Sequence, residues 1–182
     1  MEKLWTTLNS PLGLLIIGAL VSGLVVQYIA TNWQQRNWLA QQELIASNAM
    51  ILKRLDKQYQ VLENLSADLS AAIVNSQQTV VAVQKGIKGK QYNEIVASMN
   101  AATMNWDAKY PIHAVHVQAY FADPEILTVL AEAKTKRDAL DVSIYELVAG
   151  SGGVEPCVSH LEQLTSLLGQ ITRKMLAEIR HR

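Results

Sequence analysis

The sequence predicts an all-α protein: a single N-terminal transmembrane helix that continues into a long coiled-coil-like helix, which packs in an antiparallel helical bundle. Three observations predict it. An apolar run fills residues 11–30, the stretch from Thr31 to Lys85 holds neither glycine nor proline, and the later segments repeat apolar residues at helical spacing. No segment shows sustained strand alternation. Alanine, leucine, glutamine and valine dominate, with Gly 9 and Pro 4 in 182 residues, a composition suited to helices. Basic and acidic side chains balance at 16 each, so no net field points toward nucleic acid or an acidic partner. The single cysteine, Cys157, excludes an intrachain disulfide framework, which leaves packing to hold the domain.

The first element is PLGLLIIGALVSGLVVQYIA, Pro11 to Ala30. Between Lys3 and Arg36 the only ionisable side chain is Tyr28. About 20 helical residues span a hydrocarbon core of roughly 30 Å, so the run predicts one crossing. A secretory signal peptide is the competing reading, but its apolar core would be shorter and its start more basic, and Tyr28-Ile29-Ala30 makes a poor cleavage site. Trp5 precedes the run, and Tyr28, Trp33 and Trp38 lie at or beyond its far end. Indole, with an apolar body and one N–H, prefers the headgroup layer, and Trp5 and Trp33 lie about 42 Å apart at the helical rise. Trp38 has a second reading, as the first core residue of the following helix. Gly18 with Ser22, and Ala19 with Gly23, form small-xxx-small pairs through which two membrane helices can approach. Lys3 balances Arg36 in the flanks. Lys53, Arg54 and Lys57, with the unpaired Cys157, tilt the expectation toward a cytoplasmic bulk domain.

The long helix follows without a break. Ile45, Leu52, Leu55, Tyr59, Leu62, Leu69, Ile73, Val80 and Val83 recur at heptad spacing, with Asn48, Ser66 and Ser76 in the intervening slots. This is the expected coiled-coil or bundle seam, with small polar residues that fix register while weakening packing. The helix ends at KGIKGK, 85–90, where Gly86 and Gly89 supply C-cap geometry. The spacing is wrong for a phosphate loop.

Three further helices are expected. The first runs from Tyr92 to about Phe121, with a break or kink at Tyr110-Pro111. Asp123-Pro124-Glu125 starts the second, which carries Ile126, Leu127, Leu130, Ala133, Leu140, Ile144 and Leu147. Gly150-Ser151-Gly152-Gly153 reads as a flexible connector. Pro156 opens the last helix, striped by Val158, Leu161, Leu164, Leu168, Ile171, Met175 and Ile179. The organisation is a tail and anchor over 1–31, a juxtamembrane or stalk helix over 32–86, and a bundle region over 87–182 that packs on the distal part of the long helix.

Chemistry-bearing residues are few. His113 and His116, and likewise Cys157 and His160, are spaced i, i+3, and are weak candidates for a zinc site built from two helices. Neither pair is a zinc signature, and packing residues are the better reading. Asp138 and Asp141 sit among Lys134, Lys136 and Arg137, which reads as a solvated helix face. The basic end, Arg173, Lys174, Arg180, His181 and Arg182, matches the negative pole of a helix C-terminus. No catalytic, cofactor-binding or metal signature emerges. The pattern therefore implies a non-enzymatic, single-pass membrane scaffold or accessory subunit acting through protein–protein contact. Its expected partners are the bilayer and either itself or other membrane-complex subunits. The alternative is a membrane-tethered sensor whose ligand-binding bundle signals through the stalk.

Overall fold

The computed structural model describes the backbone of residues 11–180 and the side chains of 27–180 apart from residue 29. Trp5, Gly18, Ala19, Ser22, Gly23, His181 and Arg182 lie outside the described side chains, as does most of the expected span. Among the described residues the chain is all-α, four helices packing in a bundle, with no strand. The helices are α1 (Pro11–Gln84), α2 (Lys90–Tyr120), α3 (Pro124–Val148) and α4 (Val154–Arg180). Among the described residues no helix is long and apolar enough to cross a membrane.

The chain divides into two compact units, Met1–Leu52 and Lys53–Arg182. In the first unit every described side chain is exposed, including Tyr28, Trp33, Trp38, Leu44 and Ile45. The second unit holds the bundle. Gln58 of α1 meets the end of α2 at Tyr120, Asp68 meets Asn105, and Asn75 meets Ser98, so α1 and α2 run antiparallel. Thr103 and Asp107 of α2 meet Arg137 and Lys134 of α3, and Glu125 of α3 meets Lys174 of α4, which continues the up-down-up-down order. The core includes Leu65, Leu69, Trp106, Ile126, Leu130, Leu140, Ile144, Leu164, Ile171 and Met175, each fully enclosed.

The seam of α1 differs from a simple heptad. Leu62, Leu69, Ile73 and Val80 are buried and Leu55 and Val83 partly so, but Ile45, Leu52 and Tyr59 are exposed. Gln58, Leu65, Ala72 and Thr79, one residue before the expected slots, are buried as well. A bundle helix touches two neighbours, so it buries a face wider than a two-residue seam. The stripe of α4 shifts in the same way: Cys157 and Leu167 are buried, while Val158 is exposed.

Helix α2 corrects the expected break, because it continues through Pro111. Proline inside a helix costs about 3 kcal/mol, since it removes one N–H and crowds the preceding turn. Burial of Trp106, His113 and Val117 on either side offsets that cost, and Pro111 itself faces outward.

The helix ends follow local chemistry. Asp123 caps α3 by accepting from the Glu125 amide at 2.9 Å, with Pro124 in the first turn. At the end of α1, Gly86 adopts φ 62° while its amide and that of Ile87 bond back to Val83 and Ala82. Gly150, with φ 75°, and Ser151 make the same pair of bonds to Leu147 and Glu146, so the expected flexible connector is a capped turn. Gly150→Ala should lower stability in urea by about 1 kcal/mol, because the left-handed backbone penalises a Cβ. Gly169 lies inside α4 with open space where a Cβ would go. There Gly169→Ala should act in the opposite direction, by about 0.5–1 kcal/mol in the same measurement.

Candidate functional site

Asp68 lies on the face of α1 toward α2 and gathers three side chains of α2. Its carboxylate accepts from Asn105 Nδ2, Lys109 Nζ and His113 Nε2, each at 2.9 Å. The three donors are spaced i, i+4, i+8, so they form one ridge of α2 laid against α1. A carboxylate only accepts, so His113 must carry its proton on Nε2. Burial raises the Asp68 pKa, but the bonds from Lys109, Asn105 and His113 outweigh it and hold the carboxyl below its ordinary value of 3.8. Burial pushes His113 below 6.5, against the opposing pull of Asp68, so a neutral imidazole stacks on Trp106 with centroids 5.9 Å apart. Asn64, Ile112 and His116 complete a shallow cleft of about 250 Å³ beside the pair. The cleft lining holds no hydroxyl or thiol that the imidazole could activate.

The second cluster is centred on Arg137. Its side chain is fully buried, and its guanidinium donates to Asp141 of its own helix and to Thr103 of α2. The solvated face expected for these residues is corrected at this position. Asp138 is exposed and pairs with Lys134, whereas Arg137 lies inside the bundle. The signal was present in the sequence: Ile126, Leu130, Ala133, Arg137, Leu140, Ile144 and Leu147 alternate by four and three, which puts Arg137 on the core stripe. Burial pushes Asp141 above its ordinary value, and Asp107 and Asp138 add to this against the Arg137 charge.

Next to Asp141 an open groove of about 500 Å³ runs between α2 and α3. Val96, Met99 and Thr103 form one wall, and Ile144, Tyr145 and Val148 the other. Tyr145 and Met104 are among the most exposed apolar side chains, at 77% and 73%. The groove is mainly apolar, with the Asp141 carboxylate, the Asn100 amide and the hydroxyls of Thr103 and Tyr145 as its polar groups.

The two zinc-candidate pairs are not brought together. His113 is engaged with Asp68, His116 lies edge-on to Tyr120, and Cys157 is buried on α4 near the Gly153 carbonyl. Among the described residues no group of three or more His, Cys, Asp or Glu side chains is placed to hold a metal ion. Burial raises the Cys157 pKa and disfavours the thiolate that a metal or an electrophile would need. The basic C-terminal cluster also has a tertiary role. Lys174 pairs with Glu125 and Asp123, and Glu178 accepts the amides of Ala122 and Asp123. Both contacts fasten the start of α3 to α4.

Truncation of Arg137 should be costly. Arg137→Ala should lower the unfolding free energy by about 3 kcal/mol, because it opens a cavity and leaves Asp141 without its cation; Arg137→Met should cost clearly less. The His113 pKa is depressed in the fold, so the unfolded chain binds the proton more readily. That stabilisation is present above pH 6.5 and is lost as the pH falls through the unfolded value toward the folded one. Urea midpoints at pH 7.5 and 5.5 should therefore differ, with the lower stability at 5.5, and His113→Gln should reduce the difference. The chain matches no family model, and no curated protein or solved structure matches it.

Proposed function

We propose that the chain is a single-pass, membrane-anchored helical scaffold or accessory subunit, without enzymatic activity, that works by protein–protein contact. The observation that carries this reading is the exposed apolar surface of the first unit. Trp33, Trp38, Leu39, Leu44, Ile45, Met50, Ile51 and Leu52 are each about half exposed or more, at 49–69%. An apolar surface of this extent on a water-facing helix costs solubility unless something covers it. The uncharged run over 11–30 supports an anchor of bilayer length, and Tyr28 and Trp33 suit its interfacial layer. Lys53, Arg54 and Lys57 favour a cytoplasmic bulk domain.

The groove between α2 and α3 favours a second reading, a tethered sensor. Its volume and mixed lining fit a small amphipathic ligand. A ligand that raises the melting temperature of the full chain, with the rise abolished by Val148→Trp at the exposed wall of the groove, would support that reading over the scaffold.

The anchor is tested by alkaline extraction of membranes from cells expressing the full chain. Retention in the pellet is expected, and release into the supernatant overturns the anchor. Leu15→Arg combined with Leu20→Arg should move the protein to the soluble fraction, since each arginine costs about 3 kcal/mol at the bilayer centre.

A further inference from the structure

We infer that the exposed face of α1 between Trp38 and Leu52 is covered by a second copy of this chain, in parallel and in register, as a two-stranded coiled coil. The inference deepens the proposed interaction role and rests on it. Trp38, Ile45 and Leu52 recur every seven residues and are 56%, 66% and 66% exposed. Gln41 and Asn48 lie between them on the same face, and Leu44 and Ile51 flank it. The charged residues of this stretch, Arg36, Glu43, Lys53 and Arg54, all occupy the outward heptad positions.

Three features select the occupant. A lipid surface would want an uninterrupted apolar face, whereas here Gln41 and Asn48 sit at its centre. A different protein would be chosen through charges at the flanking positions, but Asn37, Gln42, Leu44, Ala49 and Ile51 carry none. Two identical helices meet there without repulsion. Amides are also self-complementary, because each offers a donor and an acceptor, so Asn48 can satisfy Asn48 of a second copy across a two-fold axis. Parallel pairing provides that match. Antiparallel pairing would set the amides against apolar side chains, at the cost of unsatisfied polar groups. Anchoring in one bilayer gives both copies the same direction and raises their effective concentration, which offsets the shortness of a seam about 21 Å long.

The test uses the full chain in native membranes with Cys157→Ala as background. Single variants Ile45→Cys, Leu52→Cys and Glu43→Cys are oxidised and run without reductant. Ile45→Cys and Leu52→Cys should each give a disulfide-linked homodimer at about tenfold the yield of Glu43→Cys, since only seam positions bring two Cβ atoms within bridging distance. Equal yield at all three positions, no dimer at either seam position, or dimer at only one of them overturns the proposal. A second measurement is the mass in mild detergent. The unsubstituted chain should be a dimer, and Ile45→Lys with Leu52→Lys a monomer with an unchanged bundle melting temperature. Any other mass for the unsubstituted chain overturns the proposal. The two readings fail separately: a monomer retained in the membrane pellet sinks the seam but leaves the anchor, whereas a dimer released by alkali sinks the anchor but leaves the seam.

Discussion

The constraint from which the rest of the structure follows is the mismatch between one long helix and three shorter ones. Helix α1 has 74 residues, whereas α2, α3 and α4 have 31, 25 and 27. A helix gains most of its stability by burying one face, and the later helices have length to cover only part of α1. Within Lys53–Arg182 the partners are supplied, and Leu65, Leu69 and Ala72 are fully buried. Within Met1–Leu52 every described side chain is exposed, so the apolar face of that stretch is left to the surroundings.

Inside the bundle, apolar burial supplies the drive to pack and polar contacts choose one register. Leucine and isoleucine layers tolerate sliding by a turn, because one aliphatic contact resembles the next. Asp68 does not tolerate it, since only one alignment brings Asn105, Lys109 and His113 to a single carboxylate. Arg137 with Thr103 sets α3 against α2 by the same logic, and Glu178 on the amides of Ala122 and Asp123 sets α4 against the start of α3. The core also carries a cost. Among the described residues, buried polar atoms on Gln58, Ser66, Ser76, Trp106, Arg137 and His160 have no hydrogen-bond partner within the protein, and a buried polar group left unpaired is costly.

Local chemistry was legible wherever a residue acts on its own neighbours. Asp123-Pro124 announces a helix start because the carboxylate reaches amides two residues away. Gly86 announces a helix end because only glycine accepts its left-handed backbone without strain, and Gly150 does the same inside a stretch whose composition suggested only a flexible connector. Pro111 does not break its helix because its cost is local, while Trp106, His113 and Val117 are buried on either side of it and offset that cost. Tyr59 misled because a heptad marks a seam two residues wide, and the bundle buries Gln58 beside it.

The sequence by itself determined the helical class, most helix ends and the general course of the apolar stripes, since periodicity and capping are encoded within a few residues of one another. Its glycine–lysine spacing at 85–90 does not match a phosphate loop, and its His and Cys spacings match no zinc signature. Tertiary structure decided which stripes find partners and which charges go inside. Arg137 has the composition of a surface residue and the spacing of a core residue, and only the meeting of α2 and α3 makes its burial tolerable, by giving the guanidinium Thr103 along with Asp141. The fate of Asp68 likewise depends on residues about forty positions away, a distance at which no local propensity carries information.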